Sequence, residues 1–307
     1  MKHSLFNLLA PVLTAVLLMS TQAKAVETAD TCSPKNLISE IPSAPRSQGW
    51  SNWCFAYSAT DLLEQKLGVK IASADLAIKF LKRNPRLVGS DSFFDTGGIL
   101  DETIDQIAKT EGICSEEDLP IKGEDIDYLI ALTKGKVDRK TPPEKILENL
   151  ARIFPKIESR ILQRFLDRYR ANPHDAREIE DLEINLIGMA CKNRISIPAV
   201  HTNISQCVAL PCPNLTDQID RSLDKNKLSS VNVIFAAFKD GPKAKDQHSM
   251  TVVGRYKDEK NQCMYVLRDS AWLHRPHLDF EKVDGAYSSI SRENLKKILK
   301  IVTSLAN

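Results

Sequence analysis

Apolar residues recur at helical spacing through the first two thirds of the chain and give way to unbroken apolar runs in the last third. Phe55, Ala59, Leu62, Leu63 and Leu67 predict a helix over Cys54–Leu67, with Gly68 placed to stop it. A short amphipathic helix is expected over 100–109, ending before Gly112. Thr141-Pro142-Pro143 reads as a helix start, with Thr141 as cap and proline in the first turn. The helices that follow run to about Arg194. Ile157, Ile161, Phe165 and Tyr169 share one face; Ile179, Leu182, Leu186 and Ala190 share another. The dense charges between them are expected on solvated faces. One more helix is expected over 217–226. Strands are predicted over 231–238, 249–256 and Cys263–Arg268, the last two joined by a polar turn at 257–262. The expected class is therefore α+β. A helical part spans about 46–215 and includes an insertion at about 141–194; a β-rich part spans 216–307. Two parts of different class leave a cleft between them, a favoured place for a substrate.

Residues 1–25 read as a cleaved signal peptide. Lys2 and His3 precede a mostly apolar stretch over 5–19, and Ala23-Lys24-Ala25 supplies a small-x-small cleavage pattern. About 15 apolar residues fall short of the ~20 that span a bilayer. The expected product is exported, secreted or periplasmic, with no stable membrane insertion and with 26–45 as an N-terminal segment. The whole chain has a formal charge of +2. Removing the leader takes away Lys2 and Lys24, which leaves basic and acidic residues in equal number. That balance gives no electrostatic basis for a nucleic-acid or anionic-membrane partner. The chain has 7 cysteines: Cys32, Cys54, Cys114, Cys191, Cys207, Cys212 and Cys263. An odd count in an oxidising compartment predicts up to three bridges and one free thiol, with the pairing left open. Cys207 and Cys212 flank a short loop and pair either with each other or with distant partners. His274 and His277 are separated by Pro276 and are expected to be ordinary surface histidines. No metal and no cofactor is expected.

The chemistry concentrates in Arg46–Ala59, RSQGWSNWCFAYSA. Cys54 follows a Gly/Ser/Asn loop and begins a helix. There the helix dipole favours the thiolate, and the backbone N–H is aimed at a developing oxyanion. Gln48 offers a second donor. A cysteine at a helix start is as readily a buried, inert or disulfide-bonded residue. His248 changes the balance. It lies where a loop meets the strand over 249–256, and Asp269 ends the strand after it. Folding the hairpin brings Asp269 roughly opposite 248–250. A nucleophile, a base and an orienting carboxylate make up the set needed for acyl transfer.

At these residues the chain resembles the papain-like cysteine peptidases. Gln48, Cys54 and the following F-A-Y-S look like that family's oxyanion glutamine and nucleophile segment. Gly97-Gly98 is similar to its Gly-Gly substrate-binding stretch. Asp246-Gln247-His248, followed by a strand ending V-V-G-R-Y, resembles its histidine segment, and Tyr265 to Trp272 its strand ending in Asn-Ser-Trp. The resemblance implies a two-lobed fold and a cysteine-type endopeptidase working through a thioester. Cys54, His248, Asp269 and Gln48 would be catalytic, and Gly97, Gly98 and Trp272 would line the substrate site. It also implies a peptide or protein substrate and a possible proteinaceous inhibitor, and a monomer is expected. There are departures. Asp269 stands where the family usually has Asn, and Ala271 is inserted before Trp272. Ser51 replaces a disulfide cysteine, and Phe55 replaces a tryptophan. Too few residues separate Ala25 from Gln48 for the family's helical propeptide. A catalytically weak binding or inhibitory module, or an acyl transferase or cell-wall peptide hydrolase with the same triad, fits the same residues.

Overall fold

This computed structural model describes residues 32–88, 92–107, 112–138, 140–207, 213–234, 247–271 and 281–306. The leader, Cys212, Asp246, Trp272, His274 and His277 lie outside the described residues. In chain order the elements are β1 (Lys35–Asn36), α1 (Cys54–Leu67), α2 (Ser73–Arg83), α3 (Pro85–Val88), α4 (Leu100–Ile107), β2 (Ile113–Cys114), α5 (Gly123–Thr133), α6 (Pro143–Ile153), α7 (Ser159–Ala171) and α8 (Ala176–Ala190). There follow β3 (Arg194–Ile195), β4 (Thr202–Gln206), α9 (Pro213–Asp224), β5 (Ser229–Ile234), β6 (Gln247–Lys257), β7 (Cys263–Arg268), β8 (Glu281–Asp284), β9 (Tyr287–Ser291), α10 (Arg292–Ile298) and β10 (Leu299–Leu305).

An antiparallel sheet runs β4-β10-β5-β6-β7-β9-β8, with β1 added against β6. The fold is α+β. The sheet is not drawn from the last third alone, since β1 and β4 join it from earlier in the chain. His248 through Arg255 of β6 are all buried, so both faces of this central strand are covered. That explains why it reads as an apolar run rather than an alternation. A bulge between Val252 and Gly254 adjusts the β6–β7 register, and Thr251 pairs with Arg268. Asp269 therefore follows directly beside the start of β6.

Helix α1 has the predicted bounds and ends on Gly68, whose φ of 68° gives the left-handed C-cap. It packs against β6 as well as α2 and α4, so Phe55 to Glu64 are all buried rather than one stripe of them. Helix α6 starts one residue later than expected. Pro142 is its cap and Pro143 its first residue, and the Thr141 side chain plays no capping part. The inserted helices share the main core: Ile146, Leu150, Leu166 and Ile187 belong to the same buried cluster as Leu76 and Val231.

The expectation that the charges of this region are solvated fails at two residues. Glu180 accepts hydrogen bonds from the Ser92 hydroxyl and, at 2.7 Å, from the Phe93 N–H. Glu183 is fully buried and accepts at 2.7 Å from the Thr133 hydroxyl of α5. Both side chains moor α8 to the rest of the fold. Burial pushes the Glu183 carboxyl well above its ordinary 4.5. The folded state therefore holds a proton that the unfolded chain gives up, and stability falls as pH rises above that value. Glu183→Gln keeps an acceptor for Thr133 without a buried charge. Its melting temperature should exceed the wild type's at about pH 8 and approach it at about pH 5. An equal or lower melting temperature at the higher pH would show that the buried carboxyl is not a burden.

Candidate active site

The loop before α1 is held from three sides. The Gln48 N–H donates to the Ser270 carbonyl at 2.9 Å, the Trp50 N–H to Asp127 of α5 at 2.7 Å, and the Asn52 N–H to the Phe94 carbonyl at 2.8 Å. Trp53 is fully buried, stacks on Phe94 with centroids 5.1 Å apart, and donates its indole N–H to the Phe93 carbonyl. Cys54 is thus fixed as the first residue of α1, where the backbone N–H has no acceptor within the helix. No acidic residue stands in the first turn to offset the positive end of the dipole.

His248 is the second residue of β6 and is buried. Its Nε2 lies 2.7 Å from Asp269 Oδ1, and the same oxygen accepts from the Ala271 N–H at 2.8 Å. With Nε2 committed to Asp269, Nδ1 is the ring nitrogen left for Cys54, whose sulfur and the ring act on each other's ionisation. Burial opposes ionisation of the Cys54 thiol. The imidazolium charge of His248, its hydrogen bond and the Ser249 N–H overcome that opposition and bring the thiol below its ordinary range. Burial likewise works against a charged His248, yet Asp269 and the Cys54 thiolate push its pKa up to about 10. The thiol is shifted down and the imidazole up, so both shifts run toward a thiolate–imidazolium pair.

Gln48 is buried and lines the same cleft as Cys54 and His248. Its carbonyl oxygen accepts from the Ser270 hydroxyl at 2.7 Å, and its amide donates to the Ser51 carbonyl at 2.5 Å. Fixing the oxygen this way orients the amide nitrogen, which has a second N–H to offer. Ser51, which stands in place of a disulfide cysteine, donates its hydroxyl to the Gln48 backbone carbonyl at 2.7 Å.

The cleft encloses about 350 Å³. Gly97 and Gly98 form part of one wall together with the half-exposed aliphatic side chains of Leu87 and Ile99. Gln247, Ser249 and Asn232 face them from the sheet side. Asn232 Oδ1 is buried with no hydrogen-bond partner among the described residues. The structure therefore brings Gln48, Cys54, Gly97, Gly98 and His248 to one cleft, with Asp269 behind the histidine; Trp272 lies outside the described residues. Ser249, Ser270 and Asn232 were not singled out from sequence. Ser249 and Ser270 each adjoin a predicted site residue, and that adjacency was the available signal. Asn232 carried none. The Cys114, Asp118 and Cys191 side chains also approach one another, away from this cleft.

The fold is that of the papain-like cysteine proteases. It is shared with the Amb a 11 cysteine protease of ragweed pollen in its proform and with digestive procathepsin L 3 of the Tenebrio molitor larval midgut. Each is 12% identical to this chain with a TM-score of 0.50; the match covers 92% of this chain and 69% and 72% of theirs, respectively. No family model and no curated protein matches the sequence.

The two glycines differ in what they tolerate. A Cβ on Gly98 would lie 2.6 Å from the Phe55 ring and 2.7 Å from the Phe80 ring, which pack on each other with centroids 5.3 Å apart. A Cβ on Gly97 would meet only the Asn52 carbonyl, at 3.8 Å. Gly98→Ala should lower the melting temperature by several degrees, as overpacking of this kind costs about 1–3 kcal/mol, whereas Gly97→Ala should leave it nearly unchanged. Equal melting temperatures for the two variants would remove the packing account of the Gly-Gly pair.

Proposed function

We propose that the protein is an exported cysteine-type endopeptidase that hydrolyses peptide bonds through a Cys54 thioester. The observation that carries this reading is the His248–Asp269 contact of 2.7 Å behind a Cys54 thiol held below its ordinary pKa at a helix start. A substrate lies along the cleft against Gly97 and Gly98. The Cys54 thiolate forms a bond to the scissile carbonyl carbon, and the carbonyl electron pair moves onto oxygen. The Cys54 backbone N–H and the Gln48 amide donate to that oxyanion. The tetrahedral species collapses as His248 passes its proton to the departing amine, and the C–N bond breaks. Neutral His248 then takes a proton from water, whose oxygen attacks the thioester. The C–S bond breaks and the thiolate–imidazolium pair is restored. Asp269 stays ionised throughout and holds the ring in the tautomer that leaves Nδ1 to the sulfur.

The wall formed by Leu87 and Ile99 is suited to an aliphatic substrate side chain. The export part of the reading is supported by the disulfide between Cys32 and Cys263, a bond favoured in oxidising compartments.

Cys54→Ala should abolish both hydrolysis of a generic peptide library and covalent capture by an epoxysuccinyl probe. Gln48→Ala should keep the probe-reactive thiol but lower kcat by about 100-fold or more. Undiminished hydrolysis by the Cys54→Ala chain would end the peptidase assignment.

A further inference from the structure

Apart from the cleft, the described residues hold a pair of thiols. Cys114 ends β2 and is buried; Cys191 caps α8 and is partly exposed. Their sulfurs lie within 4.8 Å of each other. The backbone around them is fixed. Cys114 pairs with Arg194 in the β2–β3 ladder, so the turn from Cys191 to Arg194 returns the chain alongside β2. The Cys114 N–H donates to Asp75 at 2.9 Å, and the Asn193 N–H to Asp118 at 2.9 Å.

We propose that Cys114 and Cys191 are a disulfide site that ties the end of the inserted helices to the strand β2. The bond forms by exchange with a disulfide donor, RSSR, such as glutathione disulfide or an oxidised thiol–disulfide oxidoreductase. Accessible Cys191, as thiolate, attacks one donor sulfur, breaks the donor S–S bond and releases RS⁻. Cys114 then loses its proton and attacks the Cys191 sulfur of the mixed disulfide, which expels the second RS⁻. The two cysteine protons end on two RSH, and the donor is reduced as the pair is oxidised. The partly exposed thiol meets the donor and the buried one resolves the intermediate.

A metal ion is the other use for two thiols beside a carboxylate, and the surroundings disfavour it. One Asp118 oxygen is engaged by the Lys156 ammonium and the other by the Asn193 N–H. Lys79 and Arg194 add two more cations, each 3.4 Å from Asp75, and both act on the Cys191 thiol. A divalent cation would have to displace Lys156 and sit among like charges.

The cross-link has a structural consequence. It closes residues 114–191 into one ring that contains α5 to α8. Helix α8 carries Glu180, which seats the Phe93 N–H just ahead of Gly97-Gly98. Cys32 pairs with Cys263, and Cys207 is also disulfide-bonded. Once Cys114 and Cys191 are joined, Cys54 is the one free thiol among the described cysteines. This proposal does not depend on the peptidase assignment.

The test is peptide mapping of the purified chain after incubation with glutathione disulfide and alkylation without reduction. The expected result is a linked pair of peptides containing Cys114 and Cys191, lighter than the separate thiol peptides by two hydrogens. A C114A/C191A variant compared without reductant should then melt about 5–10 °C below the wild type. Recovery of both cysteines as alkylated thiols after exposure to the donor would overturn the proposal. So would a stoichiometric divalent metal released when these thiols are titrated in the wild-type chain.

Discussion

The proposed peptidase site depends on a separated pair of charges, sulfur negative and imidazole positive. Neither ion would persist alone where these groups sit, because burial favours the neutral form of each. They persist because each is the other's counter-ion and because Asp269 lies 2.7 Å behind the ring. The three residues come from two distant stretches of chain, the start of α1 and the β6–β7 hairpin. Two distant elements must therefore be held in register.

Beneath the site a buried ionic cluster does this. Arg46, two residues before Gln48, pairs with Glu64 at 2.9 Å and Asp61 at 3.3 Å, both on α1. Arg268, the residue before Asp269, reaches the same Asp61 at 3.3 Å and donates to the Ser43 and Ala44 carbonyls at 3.1 and 2.9 Å. Glu64 also accepts from the Ser43 hydroxyl at 2.5 Å and from the Ile71 N–H at 2.7 Å. The segment leading to Gln48, the helix that begins with Cys54 and the strand that ends before Asp269 are thus tied to one set of charges. Leaving one such buried ion unpaired costs about 3–5 kcal/mol, so the arrangement specifies geometry more strongly than it adds stability.

Helix α1 and strand β7 were readable to the residue, because a glycine stop and a polar turn punctuate clear apolar patterns. The His248–Asp269 proximity was readable because a hairpin converts sequence distance from its turn into spatial register; the β6 bulge falls within the tolerance of that estimate. Much of the rest depends on tertiary packing. Asp61, Glu64, Glu180 and Glu183 look like members of solvated helix faces and are instead buried and paired, which no local pattern announces. Helix α2, absent from the elements expected from sequence, carries Leu76 and Phe80 at helical spacing. Strands β1 and β4 are short and polar and become strands only through the partners they add to. The wall of the cleft gathers Leu87, Ile99 and Asn232 from three separate segments, so its chemistry could not be read along the chain.

The pH dependence of Cys54 alkylation by iodoacetamide, followed on the Cys54 peptide, tests the ion pair most directly. Iodoacetamide is uncharged and reports thiolate without requiring a substrate. The account predicts rapid modification already at neutral pH and below, with this acid-side reactivity lost in His248→Ala. A wild-type profile that rises only near the free-thiol value of about 8.5, unchanged when the imidazole is removed, would contradict it.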